Sequence, residues 1–220
     1  KRHPFVNQAQ VGFDADGQIQ ALNADLHGLC GCSPDLSDAI VDRAMFHTDN
    51  AYYLPNATIA GHRWFQNTAS NTAYRGFGGP QGMMLAEQML DDVARAVGKD
   101  PLLVRQQNLY DNHERNITPY HQTVTGVDLP RIIDELVVSS DYWARRQAIT
   151  SYNNSARAQG GRYARGLALT PVKFGISFTA MFLNQAGALV HIYTDGTVQV
   201  SHGGTEMGQG LYTKIGQIVA

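Results

Sequence analysis

The sequence predicts an α+β fold of mixed sheets, hairpins and packed helices, divided into two segments. Three observations carry that reading. Two strand-like runs between Phe5 and Leu29 flank the turn Asp14-Ala15-Asp16-Gly17. Met83, Ala86, Leu90, Val93 and Val97 recur at helical spacings of three and four. Beyond Arg162 the pattern returns to short strand-like runs around a second turn, Asp195-Gly196.

Asp and Gly tolerate the left-handed backbone of a tight turn, so Phe5 to Leu29 reads as a β-hairpin. Ser33-Pro34-Asp35 then opens a helix, with Ser33 as cap and Pro34 at the first helical position, running to about His47. Leu36, Ile40 and Ala44 mark its expected buried stripe, and Arg43 lies beside them. Pro55-Asn56 turns the chain into a strand over Ala57 to Asn67, and Thr68 to Gly79 is polar and glycine-rich. The periodic helix ends at Gly98 as at a C-cap glycine; Asp100 caps the next helix and Pro101 starts it, to about Tyr110. Asp111 to Gly126 has no strong period and reads as a loop with at most a short strand. Helices follow over Leu129 to Ser139 and Asp141 to Asn154. Ala156 to Arg162, small and polar with a glycine pair, marks the expected boundary, giving segments 1–159 and 160–220. Gly166 to Lys173 and Gly187 to Thr194 read as strands, the latter turning into Thr197 to Ser201, and Leu211 to Ala220 reads as a helix without a stop signal. That missing stop, with Lys rather than Met at position 1, gives the expectation of a fragment whose second segment is incomplete. Such a segment is expected to expose apolar surface and to self-associate.

Composition excludes several function classes. Seventeen Lys and Arg against nineteen Asp and Glu leave a net charge of −2, which offers a polyanion no basic field, so a nucleic-acid partner is not expected. Apolar runs are short and no basic-then-apolar leader opens the chain, so neither a membrane span nor a secretory signal is expected, and a cytoplasmic location is. Cys30 and Cys32 stand one residue apart, a spacing that suits neither a zinc knuckle nor a redox dithiol, and they read as reduced thiols. The eight histidines lack a metal-site spacing, so no protein-ligated metal is expected.

Four features carry candidate chemistry. Two glycine-rich loops, Tyr74 to Gly79 and Gly203 to Gly210, each precede a helix, where unsatisfied backbone N–H groups and the positive dipole end favour an anion. Neither has the pattern of a nucleotide phosphate loop or a dinucleotide fingerprint, and turn-making glycines are an equal alternative. Phe174 to Thr179 combines two aromatics with two hydroxyls; its plainer reading is a buried strand end. Arg43 beside an apolar stripe needs a partner, whether Asp42, another carboxylate, or a functional anion or carbonyl.

The runs Arg2 to Phe5, Asp42-Arg43-Ala44 with Phe46-His47, Ser70 to Gln81, Lys173 to Thr179, Leu183 to Ala188 and His202 to Leu211 resemble, in order and over essentially the whole chain, the molybdopterin-binding subunit or domain of xanthine dehydrogenases, within the xanthine oxidase family of molybdenum hydroxylases. The resemblance implies a molybdopterin-type molybdenum cofactor whose metal takes no protein ligand, hydroxylating hypoxanthine and xanthine to urate. Electrons then leave through iron–sulfur clusters to FAD and NAD on other domains or chains of an oligomeric parent. It implies that Arg43 is a catalytic, substrate-facing cation opposite the purine oxygen. Phe77 and Phe178 would clamp the purine, one by stacking and one edge-on, with Thr179 a hydroxyl near the substrate. Ala73, Tyr74, Arg75 and Gly76 would lie at the molybdenum end of the cofactor, and Met207, Gly208 and Gln209 at its phosphate end. Tyr74 departs mildly from the Phe common there. The family's base glutamate, a second substrate glutamate and a molybdenum-proximal glutamine match no position here, so the isolated chain is expected to be inactive. Two rivals stand beside this reading: an aldehyde oxidase of the same fold, against which Arg43 and the Phe178-Thr179 pair argue, and a non-catalytic scaffold.

Overall fold

A computed structural model describes residues 1–220, which form two compact units, Lys1–Gly175 and Ile176–Ala220. In the first, β1 (Phe5–Phe13) and β2 (Ile19–Gly31) pair antiparallel. The Asp14 carboxylate accepts the amides of Asp16 (3.0 Å) and Gln18 (2.9 Å) across the turn, as the sequence predicts for a hairpin. α1 (Ser37–Phe46) is the crossover to β3 (Ala57–Phe65), which pairs with β2 in parallel, so β2 is central in the order β1-β2-β3. Every second residue along β2 faces inward: Leu22, Ala24 and Leu26 are buried against a core shared with α2 (Gly79–Val97) and α3 (Pro101–Asn108). Ile133 of α4 (Leu129–Ser139) and Tyr142 of α5 (Tyr142–Ala158) complete that core. Asp100 caps α3 by accepting the Leu102 amide at 2.9 Å.

Four expectations need correction. α1 begins at Ser37 rather than Pro34, because Asp35 takes a positive φ of 42° and the Ser33 hydroxyl bonds the Ser70 hydroxyl at 2.6 Å instead of capping. Leu36 is consequently outside the stripe and exposed, and Ile40, Val41 and Ala44 are buried. α2 is covered on two sides, by α1 and α3, so its buried set is Leu85, Ala86, Met89, Leu90, Val93 and Ala94, with Met83 only half-buried. Gly166 to Lys173 is extended but is not a strand. Side-chain amides stand where ladder partners would: Asn153 accepts the Arg165 amide, and Asn50 both donates to the Pro171 carbonyl and accepts the Lys173 amide.

The second unit holds a 3₁₀ turn at Met181–Leu183, the hairpin of β4 (Ala188–Ile192) and β5 (Val198–His202), and α6 (Leu211–Val219). Met181, Phe182 and Ile218 are each more than 75% exposed, so this unit has no core of its own. No helix in the chain is long and apolar enough to cross a membrane.

Candidate functional site

In the first unit the site is built on the last turn of α1. Arg43 is 6% exposed, and its Nη2 donates to the Gly175 carbonyl. The guanidinium lies 4.8 Å from the centre of the Phe174 ring. Burial lowers the Arg43 pKa, an environment that sharpens any electrostatic contact it makes. Asp42 and Asp38, the carboxylates near it in sequence, pair with Arg63.

One helical turn on, His47 is buried with its ring 4.9 Å from Phe174. Its Nε2 is 3.1 Å from the Gly175 amide, and its Nδ1 is 2.8 Å from the Arg43 carbonyl. An amide N–H can only donate and a carbonyl can only accept, so the network assigns a neutral imidazole protonated on Nδ1. Burial pushes the His47 pKa down, and the neighbouring Arg43 and Lys173 charges push the same way. Lys173 bonds Asp49 at 3.0 Å and the Tyr120 hydroxyl at 3.1 Å; burial opposes its charge most strongly of any single influence, but Asp49 and Tyr120 together outweigh it and the pKa rises. The Tyr110 hydroxyl donates to the same carboxylate at 2.7 Å.

The loop before α2 forms the other wall. The Phe77 amide donates to the Tyr74 carbonyl at 2.8 Å, and Phe77 itself is half-buried with φ of 49°, a conformation that a non-glycine residue holds only when its surroundings impose it. Gly78 has φ of 92°, and a Cβ there would strike the Ile40 carbonyl oxygen, so the turn lies directly on α1. Ala73, Tyr74 and Arg75 are exposed, braced from the N-terminal segment by Arg2, whose guanidinium sits 4.3 Å from the Tyr74 ring centre and donates to the Arg75 carbonyl at 2.9 Å. Gly79 meets the Phe174 ring, which joins the loop to Arg43. The fold thus brings Arg43 and the Ala73–Phe77 turn to one region.

Phe178, Thr179, Met207, Gly208 and Gln209 belong to the second unit. Asn184 closes the Phe178 segment by accepting its amide (2.7 Å) and donating to its carbonyl (2.9 Å). Gln209 accepts the Met207 amide at 2.6 Å and donates to the Thr205 carbonyl at 2.8 Å. The amides of Gly208, Gly210 and Leu211 converge on the carboxylate of Glu206 at 2.6, 3.2 and 2.6 Å. Burial opposes that charge, but these amides together outweigh it and hold the Glu206 pKa below its usual value. The donor set therefore suits an anionic group, and in this conformation the chain's own carboxylate takes it. No cluster of three or more His, Cys, Asp or Glu side chains could hold a metal ion.

Sequence reasoning missed His47, Asn50 and Glu206 as site-building residues. His47 had a legible signal, its position four residues after Arg43, which places both on one helix face. The partners of Asn50 lie more than 120 residues away and left no such trace.

Residues 1–109 and 135–220 each match a molybdopterin cofactor-binding domain family. The chain is 49% identical over 219 residues to xanthine dehydrogenase/oxidase of Gallus gallus and 46% identical to xanthine dehydrogenase of Dictyostelium discoideum. All of this chain is covered in both comparisons, against 16% of either relative's length. Among solved structures, CO dehydrogenase from Oligotropha carboxidovorans superposes with a TM-score of 0.73 at 18% identity, over 98% of this chain and 28% of that one, a likeness of fold.

Proposed function

We propose that this chain, which belongs to the molybdopterin cofactor-binding domain family, forms part of the molybdenum active site of an oxidoreductase of the xanthine dehydrogenase type that hydroxylates hypoxanthine and xanthine. The observation that carries the purine reading is the buried Arg43 guanidinium, held at a fixed point on α1 by the Gly175 carbonyl and the Phe174 face. A purine presents a ring oxygen to such a cation, and negative charge developing on the ring during hydroxylation strengthens the contact in the transition state. An aldehyde presents no ring oxygen there. Phe77, fixed by its strained turn, supplies an aromatic face to the substrate; Phe178 and Thr179 receive the second aromatic and a hydroxyl contact from the family resemblance.

The backbone of Ala73, Tyr74, Arg75 and Gly76 would hold the metal end of the cofactor, and Met207, Gly208 and Gln209 its phosphate end. The exposed, Arg2-braced loop and the anion-accepting amides of the second unit fit those roles chemically. The cofactor, when bound, supplies the oxidation chemistry; iron–sulfur, FAD and NAD sites lie on other domains or subunits.

Xanthine-dependent NAD reduction and molybdenum content, measured on the holoenzyme carrying this chain, test the proposal. Xanthine turnover with bound molybdenum is the expected result, and Arg43→Met should lower it by about a hundredfold while sparing benzaldehyde turnover. Molybdenum with aldehyde turnover alone would move the reading to an aldehyde oxidase.

A further inference from the structure

We propose that His47 is a positioning residue for Arg43: a neutral imidazole brace that aims the guanidinium by fixing the peptide to which it is anchored. The proposal rests on the reading of Arg43 as the substrate-facing cation. His47 is 5% exposed, so it is set behind the working surface rather than in it. Three hydrogen bonds close a ring. The Arg43 carbonyl accepts from His47 Nδ1, His47 Nε2 accepts from the Gly175 amide, and the Gly175 carbonyl accepts from the Arg43 side chain. Arg43 and His47 thus grip both polar ends of one residue.

That residue needs gripping. Gly175 lies in an extended strap without strand partners, and a glycine left to itself samples many peptide orientations. An arginine side chain bonded to a swinging carbonyl swings with it, through several rotatable bonds. The rest of the strap has its own anchors, in Asn50 on Pro171 and Lys173 and in Asp49 on the Lys173 ammonium. Loss of the imidazole therefore loosens the Gly175 end alone. His47 also sits at the C-cap of α1, where a side-chain change costs the helix little.

Two substitutions separate the brace from simple bulk. His47→Ala removes both bonds, and His47→Gln can restore an acceptor near the Nε2 position. On the holoenzyme, His47→Ala should lower kcat/KM for xanthine by about tenfold or more and leave benzaldehyde turnover within about threefold, with most of the loss recovered in His47→Gln. Amide hydrogen exchange at Gly175 should accelerate in His47→Ala and be restored in His47→Gln, with the Lys173 amide, held by Asn50, unchanged in both. Unchanged xanthine kcat/KM in His47→Ala overturns the proposal, as does an equal loss on both substrates without rescue. Arg43→Met, run in parallel, tests the underlying reading: if it depresses both substrates equally, the substrate role of Arg43 fails. The exchange measurement then decides the brace, unchanged protection in His47→Ala refuting it and loss with rescue by Gln upholding it.

Discussion

Gly82→Ala should destabilise the first unit, although helix propensity alone predicts the opposite. Gly82 lies in the first turns of α2, and alanine in a helix is favoured over glycine by about 1 kcal/mol. Against that gain stands the crossing of α2 over α1. A Cβ on Gly82 would collide with the Ala44 carbonyl oxygen and would lie 3.0 Å from the Ala44 carbonyl carbon and 3.1 Å from that of His47. These are backbone atoms, so no rotamer can move them aside. The same Ala44 oxygen accepts the Thr48 hydroxyl at 2.9 Å, a bond that any retreat of α1 would strain. Overpacking of a tight contact costs about 1–3 kcal/mol, and the backbone character of this one puts it at the upper end. The net expectation is a loss of about 2 kcal/mol, or roughly a thirtyfold shift toward the unfolded state. Urea denaturation followed by far-ultraviolet circular dichroism reads the change, as a lower midpoint at unchanged slope. A variant more stable than wild type by about 1 kcal/mol would refute the reasoning, since propensity would then have won and the α1–α2 approach could not be as close as described.

Two further stability predictions follow from buried charge. Arg105 is 2% exposed and bonds Glu87 at 2.7 Å and Asp91 at 2.8 Å, so Arg105→Met leaves Glu87 without its cation; a loss of about 3 kcal/mol is expected in the same denaturation assay, and a neutral result would show that the pair contributes nothing. Asp100 caps α3 and also accepts from Arg146 at 2.7 Å and Tyr142 at 3.1 Å. Burial pushes its pKa up, but the Arg146, Leu102 and Tyr142 bonds together win and hold it below 3.8. The unfolded carboxyl therefore takes its proton at a higher pH than the folded one. Its contribution is present above 3.8 and is lost as pH falls through the folded value. Asp100→Ala should cost about 2 kcal/mol near neutral pH, with the gap to wild type closing in acid; a gap independent of pH would refute the charge-based share.

Much of the architecture was legible because it rests on local chemistry. The Asp14–Gly17 turn, the Asp100-Pro101 helix start, the Gly98 stop and the Asp195-Gly196 hairpin each depend on a residue whose backbone preference or side-chain oxygen acts within a few positions. Where a side chain had two possible partners, the sequence misled. Ser33 had the makings of a cap, yet its hydroxyl is taken by Ser70, and α1 starts later. Gly166 to Lys173 had a strand's composition, but no neighbouring edge receives it and Asn50 and Asn153 bond it instead.

By itself the sequence determined the hairpins, the helices and most of their punctuation, because periodicity and turn chemistry are written within short windows; it singled out Arg43 by its place beside an apolar stripe, whereas Phe77 came only with the family resemblance. The tertiary structure alone decided that β3 joins β2 in parallel, that Asp42 pairs with Arg63, and that Gly175 is held between Arg43 and His47. The reason is physical: a buried donor or acceptor must be satisfied, but any of several distant groups can satisfy it, and only the packed chain selects which one comes within about 3 Å.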